Sequence, residues 1–182
     1  LMLRSGAKPG NYVAATGLFG KTASGLKILL GGLSAKPHVK KQLVDAVLMP
    51  HARVKEGLAL AKTGAVTASI DSSDGLAWSL HEISRASHVG FLIDKLPITK
   101  EAEELSKTHK LDPTELCLYG GEEYELVITV KPGLWRKVSR KVPLIRIGRV
   151  TEDKTLALKA GRRAVRIEAR GWEHFKTSPP KS

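Results

Sequence analysis

Between Val66 and Ile83 the sequence changes period. Val66-Thr67-Ala68-Ser69-Ile70 reads as a β-strand, Asp71-Ser72-Ser73-Asp74-Gly75 is a run of turn formers, and Leu76, Leu80 and Ile83 recur at the spacing of one helical face. The strand needs partners for its backbone groups, and the helix needs an apolar surface under its stripe. A chain built around this unit has to assemble a sheet and lay helices on it.

The rest of the chain supplies both kinds of element. A turn at Gly6-Ala7-Lys8-Pro9-Gly10 leads into a short strand over Tyr12 to Ala15, and a helix follows from Thr22 to Leu30, stopped by Gly31-Gly32. After Pro37, Val39, Leu43, Val44, Val47 and Leu48 share a helical face that Pro50 ends. A further helix is expected over Val54 to Lys62, a strand over Val89 to Ile93, a helix over Lys100 to His109 and a strand over Leu126 to Val130. Two last strands, Leu144 to Val150 and Ala164 to Ile167, flank a hairpin region around Thr151 to Gly161. Interleaved strands and helices with an antiparallel end predict helices on a mixed sheet, and 182 residues at 42% hydrophobic composition suffice for one core.

Charge narrows the partners. Thirty Lys plus Arg against 18 Asp plus Glu leave +12, which suits an anionic ligand such as a nucleotide or phosphorylated metabolite, or simply a solvated basic surface. The basic residues are scattered and aromatics make up 5%, which argues against a nucleic-acid module. One cysteine, Cys117, offers neither an internal disulfide nor a multi-cysteine metal site, so a cytoplasmic location is expected. No apolar run is long enough to span a bilayer and no signal peptide opens the chain, so no membrane association is expected. The opening Leu1-Met2-Leu3-Arg4 reads as the start of a piece of a longer protein.

Ala14-Ala15-Thr16-Gly17-Leu18-Phe19-Gly20-Lys21-Thr22 imitates a phosphate-binding loop, with its Gly-Lys-Thr ending between a strand and a helix. Such a loop needs Gly four residues before Gly20, where Ala15 stands, and Gly17 occupies a position the motif does not use. The expectation is a strand-to-helix turn with a surface Lys21, whose replacement by Ala leaves nucleotide affinity nearly unchanged.

Three other clusters carry chemistry. Asp71 and Asp74 stand three apart between a strand and a helix, where they can either bind Mg²⁺ together with phosphate and water or belong to plain helix capping, and Ser73 can cap the helix or meet a phosphate oxygen. Gly120-Gly121-Glu122-Glu123-Tyr124-Glu125 places three carboxylates in four positions, which is costly unless they meet cations or solvent, and its paired glycines allow a ligand or a tight turn close to the backbone. Gly171-Trp172-Glu173-His174-Phe175 is a late aromatic cluster, and residues 177–182 are expected to be disordered.

Together, "RSGAKPG", "TGLFGKTASGL", "SIDSSDGLAWSLHEIS", "LYGGEEYELVITV" and "GWEHF" resemble, in order and over nearly the whole chain, the C-terminal half of the thiamine-monophosphate kinase family, relatives of aminoimidazole ribonucleotide synthetase. The resemblance implies a three-layer α/β/α, α+β domain over residues 1–176 with a mixed, partly ferredoxin-like sheet, preceded in the family by an N-terminal domain that is absent here. It implies ATP-dependent phosphorylation of thiamine monophosphate to thiamine diphosphate with Mg²⁺, this half alone being inactive. Asp71 and Asp74 would bind magnesium, Arg4 and Ser73 would touch ATP, and Glu122 with Gly120 and Gly121 would meet the acceptor, on whose rings Trp172 would stack. A homodimer would form through the absent domain. No catalytic base is implied, because the acceptor is already a phosphate anion. The sequence departs from the family pattern at Lys21, where an Asp is common, at Glu123, where Asp usually follows the Glu, and at Ser79, where an Asp often stands. The alternatives are a superfamily member with a different phosphate or carboxylate acceptor, and a non-catalytic nucleotide-binding module.

Overall fold

The computed structural model describes residues 1–171. Seven strands, β1 (Tyr12–Ala15), β2 (Val66–Asp71), β3 (Gly90–Ile93), β4 (Leu126–Val130), β5 (Ile145–Thr151), β6 (Leu156–Ala160) and β7 (Arg163–Arg166), form one sheet in the order β2-β4-β1-β5-β3-β6-β7. Only β3 and β6 pair in parallel; the other neighbours are antiparallel. The helices are α1 (Lys21–Leu29), α2 (Pro37–Leu48), α3 (Val54–Thr63), α4 (Leu76–Ser87), α5 (Lys100–His109), α6 (Pro113–Leu118) and α7 (Trp135–Ser139).

Strand alternation gives the sheet two apolar faces, as the three-layer expectation requires. Val13 and Ala15 of β1 point to a core shared with Leu76, Ala77, Leu80 and Ile83 of α4, while Ala14 points the other way to Leu60 of α3 and Val138 of α7. A register irregularity in β2 lies between Val66 and Ala68, and these two residues accordingly fall on opposite faces despite their even spacing. Leu76, Leu80 and Ile83 are fully buried, and removing three such side chains from water contributes about 5–9 kcal/mol. That anchorage fixes the amino-terminal end of α4 against the end of β2.

Beyond the sheet, α1, α2 and α5 pack around Ile28, Val39, Leu43 and Leu105. Gly25 permits this approach, because a Cβ there would lie 2.2 Å from the Leu43 carbonyl oxygen. The predicted elements are all present with ends shifted by a residue or so. The structure adds α6 and α7, and shows that the expected hairpin region contains β6, paired with β7. Among the described residues no helix is long and apolar enough to cross a membrane.

Candidate functional site

The acidic turn is held from beneath. The Ser72 amide donates to the Glu125 carbonyl at 2.9 Å, and the Glu125 amide donates to the Ser72 hydroxyl at 3.0 Å. Gly75 takes φ 101°, and a Cβ on it would stand 2.9 Å from the Gly120 carbonyl oxygen, so the turn and the paired-glycine loop interlock. The Glu122 amide closes the contact by donating to the Ser73 carbonyl at 2.7 Å. Ser79 is buried with its hydroxyl 3.0 Å from the Asp71 carbonyl and 2.9 Å from that of Gly75, so it braces the turn instead of bringing charge to it.

Helix capping does not explain the acidic residues, because the residue at the N-cap of α4 is Gly75 and no side chain caps the helix. Asp71 is exposed, Ser73 and Asp74 are half-buried, and among the described residues neither aspartate side chain has a hydrogen-bond or ion-pair partner. Nor do three His, Cys, Asp or Glu side chains converge on one point among those residues. Two hard oxygen ligands on one fixed turn fit Mg²⁺, which takes one or two protein carboxylates and fills its shell with phosphate and water.

The loop from Gly120 to Glu125 has three carboxylates with three different surroundings. Glu125 is buried and receives Nε and a terminal nitrogen of Arg53 at 2.8 and 2.7 Å, together with the Thr16 hydroxyl at 2.6 Å. That carboxylate also explains Gly17, where a Cβ would lie 2.3 Å from Oε1. The hydrogen bond to Glu125 raises the Arg53 pKa and keeps it cationic. Glu123 is half-buried, and its Oε1 accepts from the Gly20 amide at 2.6 Å and the Thr22 amide at 3.2 Å. Burial pushes its pKa up, against the pull of those amides. Glu122 lines a cleft of about 540 Å³ with Lys21, His51, Arg53, Lys100 and Glu123.

The phosphate-loop imitation is thereby resolved. The strand, turn and helix are present, yet the amides at the start of α1 already hold an anion, the Glu123 carboxylate. Gly120 and Gly121 are buried, and Gly120 is required by packing, since a Cβ would come within 2.6 Å of Ala23. Arg4, in the segment before β1, lies against α4, with its guanidinium 3.7 Å from Glu82 and its carbonyl accepting from the Ser87 hydroxyl. Gly171 lies against the acidic turn, where a Cβ would be 2.5 Å from the Asp74 carbonyl oxygen. Trp172 and the tail at 177–182 lie outside the described residues. Sequence reasoning missed Arg53, Thr16 and Thr22; the demand of three clustered carboxylates for partners was the one signal pointing to them.

Residues 8–161 match the family described as AIR synthase related protein, C-terminal domain. The chain belongs to this family. Among curated proteins it is similar to the thiamine-monophosphate kinases of Nitrosopumilus maritimus, 34% identical over 95% of this chain and 56% of that protein, and of Pyrococcus horikoshii, 36% identical over 97% and 54%. Among solved structures it is similar to AaThiL complexed with AMPPCP and TMP, at 29% identity and a TM-score of 0.81 over 96% of this chain and 54% of that one. The chain thus spans about half the length of the relatives it matches.

Proposed function

We propose that this chain is the carboxy-terminal half of a thiamine-monophosphate kinase, which transfers a phosphoryl group from ATP to thiamine monophosphate. The observation that carries this reading is the match of nearly the whole chain to proteins of that name, and to a structure holding AMPPCP and TMP, at a family domain whose acidic turn is fixed but uncapped. Asp71 and Asp74 would hold Mg²⁺, which would offset the repulsion between two polyanions. Ser73 and Arg4 would meet the nucleotide, Arg4 by sharing or leaving Glu82. Glu122, set by the path of Gly120 and Gly121, would contact the acceptor, and Trp172 would stack on its rings.

An acceptor that is already an anionic phosphate needs no base to deprotonate it. The protein's task is then placement and charge balance, consistent with Lys21 and Lys100 sharing the cleft with Glu122. The same reading puts the protein in the cytoplasm, as a homodimer formed through the other half.

Tryptophan fluorescence of this chain, titrated with thiamine monophosphate with and without Mg²⁺, tests the reading. Saturable quenching absent with thiamine or inorganic phosphate is expected, and Asp71→Asn is expected to abolish any magnesium dependence without lowering the melting temperature by more than a few degrees, since Asp71 caps nothing. An equal response to all three compounds overturns the acceptor assignment.

A further inference from the structure

The cleft residue Glu122 is held by a device that lies mostly outside the loop carrying it. Its backbone is left-handed, at φ 62°, and so is that of Tyr124, at φ 53°, a conformation uncommon for side-chain-bearing residues. The contacts that hold it come from two directions. From the acidic turn, the Ser73 carbonyl accepts the Glu122 amide at 2.7 Å. From the first turn of α1, the contacts fall on the residues at either side of Glu122: the Thr22 hydroxyl donates to the Gly121 carbonyl at 2.6 Å, while Glu123 Oε1 accepts from the Gly20 and Thr22 amides at 2.6 and 3.2 Å. Thr22 is buried at 3% exposure, so water does not compete for these bonds. The helix depends on the loop in return, because Gly20 at its start supplies no side-chain cap of its own.

We propose that Thr22 and Glu123 form a reciprocal clamp between α1 and the Gly120–Glu125 loop, and that they are positioning residues which aim Glu122 into the cleft. Each segment contributes a side chain that meets the other's backbone, with every donor on the α1 side and every acceptor in the loop, so neither segment keeps its geometry without the other. The consequence for ligand contact rests on the reading of Glu122 as an acceptor-binding residue; the clamp itself does not.

Hydrogen–deuterium exchange on this chain tests the clamp without any ligand. Glu123→Ala and Thr22→Val are each expected to raise exchange at least tenfold in both segments, residues 20–24 and 121–125, while the buried α4 stripe from Leu80 to Ile83 stays protected. Glu123→Gln keeps an oxygen able to accept from both amides and is expected to restore protection; a purely electrostatic role would leave the Gln and Ala variants alike. Exchange that rises only in the mutated segment, or uniformly across the chain, overturns the proposal. Thiamine monophosphate titration of the same variants separates this result from the acceptor reading. Glu123→Ala is expected to lower affinity about tenfold with rescue by Gln, whereas unchanged affinity in Glu122→Gln overturns the acceptor role of Glu122 and leaves the exchange result to decide the clamp.

Discussion

Replacing Arg53 by Met would strand a buried charge, and the size of the effect follows from the contacts. The Glu125 side chain is 8% exposed, and each of its oxygens accepts from one guanidinium, at 2.8 and 2.7 Å. Removing one partner of a buried pair costs about 3–5 kcal/mol, because the remaining charge keeps its desolvation without its attraction. Two features place Arg53→Met at the lower end. The Arg53 side chain is 28% exposed, so part of the attraction is screened, and the Thr16 hydroxyl stays on Oε2 at 2.6 Å. A loss of about 3 kcal/mol corresponds to a fall in melting temperature of roughly 6–12 °C for a chain of this size. Glu125→Gln in the same background removes the stranded charge, so the double variant should be more stable than the sum of the two single changes, by about 1 kcal/mol or more. Thermal and urea melts of the four proteins give the coupling directly. A fall below about 2 °C for Arg53→Met, or simple additivity in the cycle, would refute the claim that this pair holds the loop.

Two other outcomes follow from the same loop. Gly17→Ala should displace the Glu125 carboxylate, which a Cβ would approach to 2.3 Å, and cost about 2 kcal/mol or more; in the Arg53→Met background, where that carboxylate is already unpaired, the cost should shrink, and chemical denaturation of the pair reads the difference. Glu123 has its pKa raised chiefly by burial, with Glu125 adding repulsion and the Gly20 and Thr22 amides opposing both. A carboxyl raised on folding costs stability as pH climbs from its ordinary value through its raised one, so the stability of wild type relative to Glu123→Gln should fall across that interval and level off on either side; a gap that widens in favour of wild type as pH rises would show that the amides outweigh burial.

The long periodic elements were legible because each carries its own evidence. The α4 stripe and the β1 and β4 runs repeat often enough for period and boundary to show in the residues alone. The helices Pro113–Leu118 and Trp135–Ser139 are too short to complete two turns, and β6 is masked by turn formers on both sides, so no repeat could distinguish them. The candidate site divides along a different line. The acidic turn is contiguous and could be read as a unit, whereas the carboxylate that fills the start of α1 stands 103 positions from the amide it meets. A glycine-rich turn ahead of a helix announces bare amides, and the motif leaves open which anion occupies them. Here the sequence holds the answer in the crowding of Glu122, Glu123 and Glu125, since three neighbouring acids in a folded chain have to find separate compensation. One takes the guanidinium of Arg53, one takes the amides of α1, and all three line the cleft that Lys21 and Lys100 share.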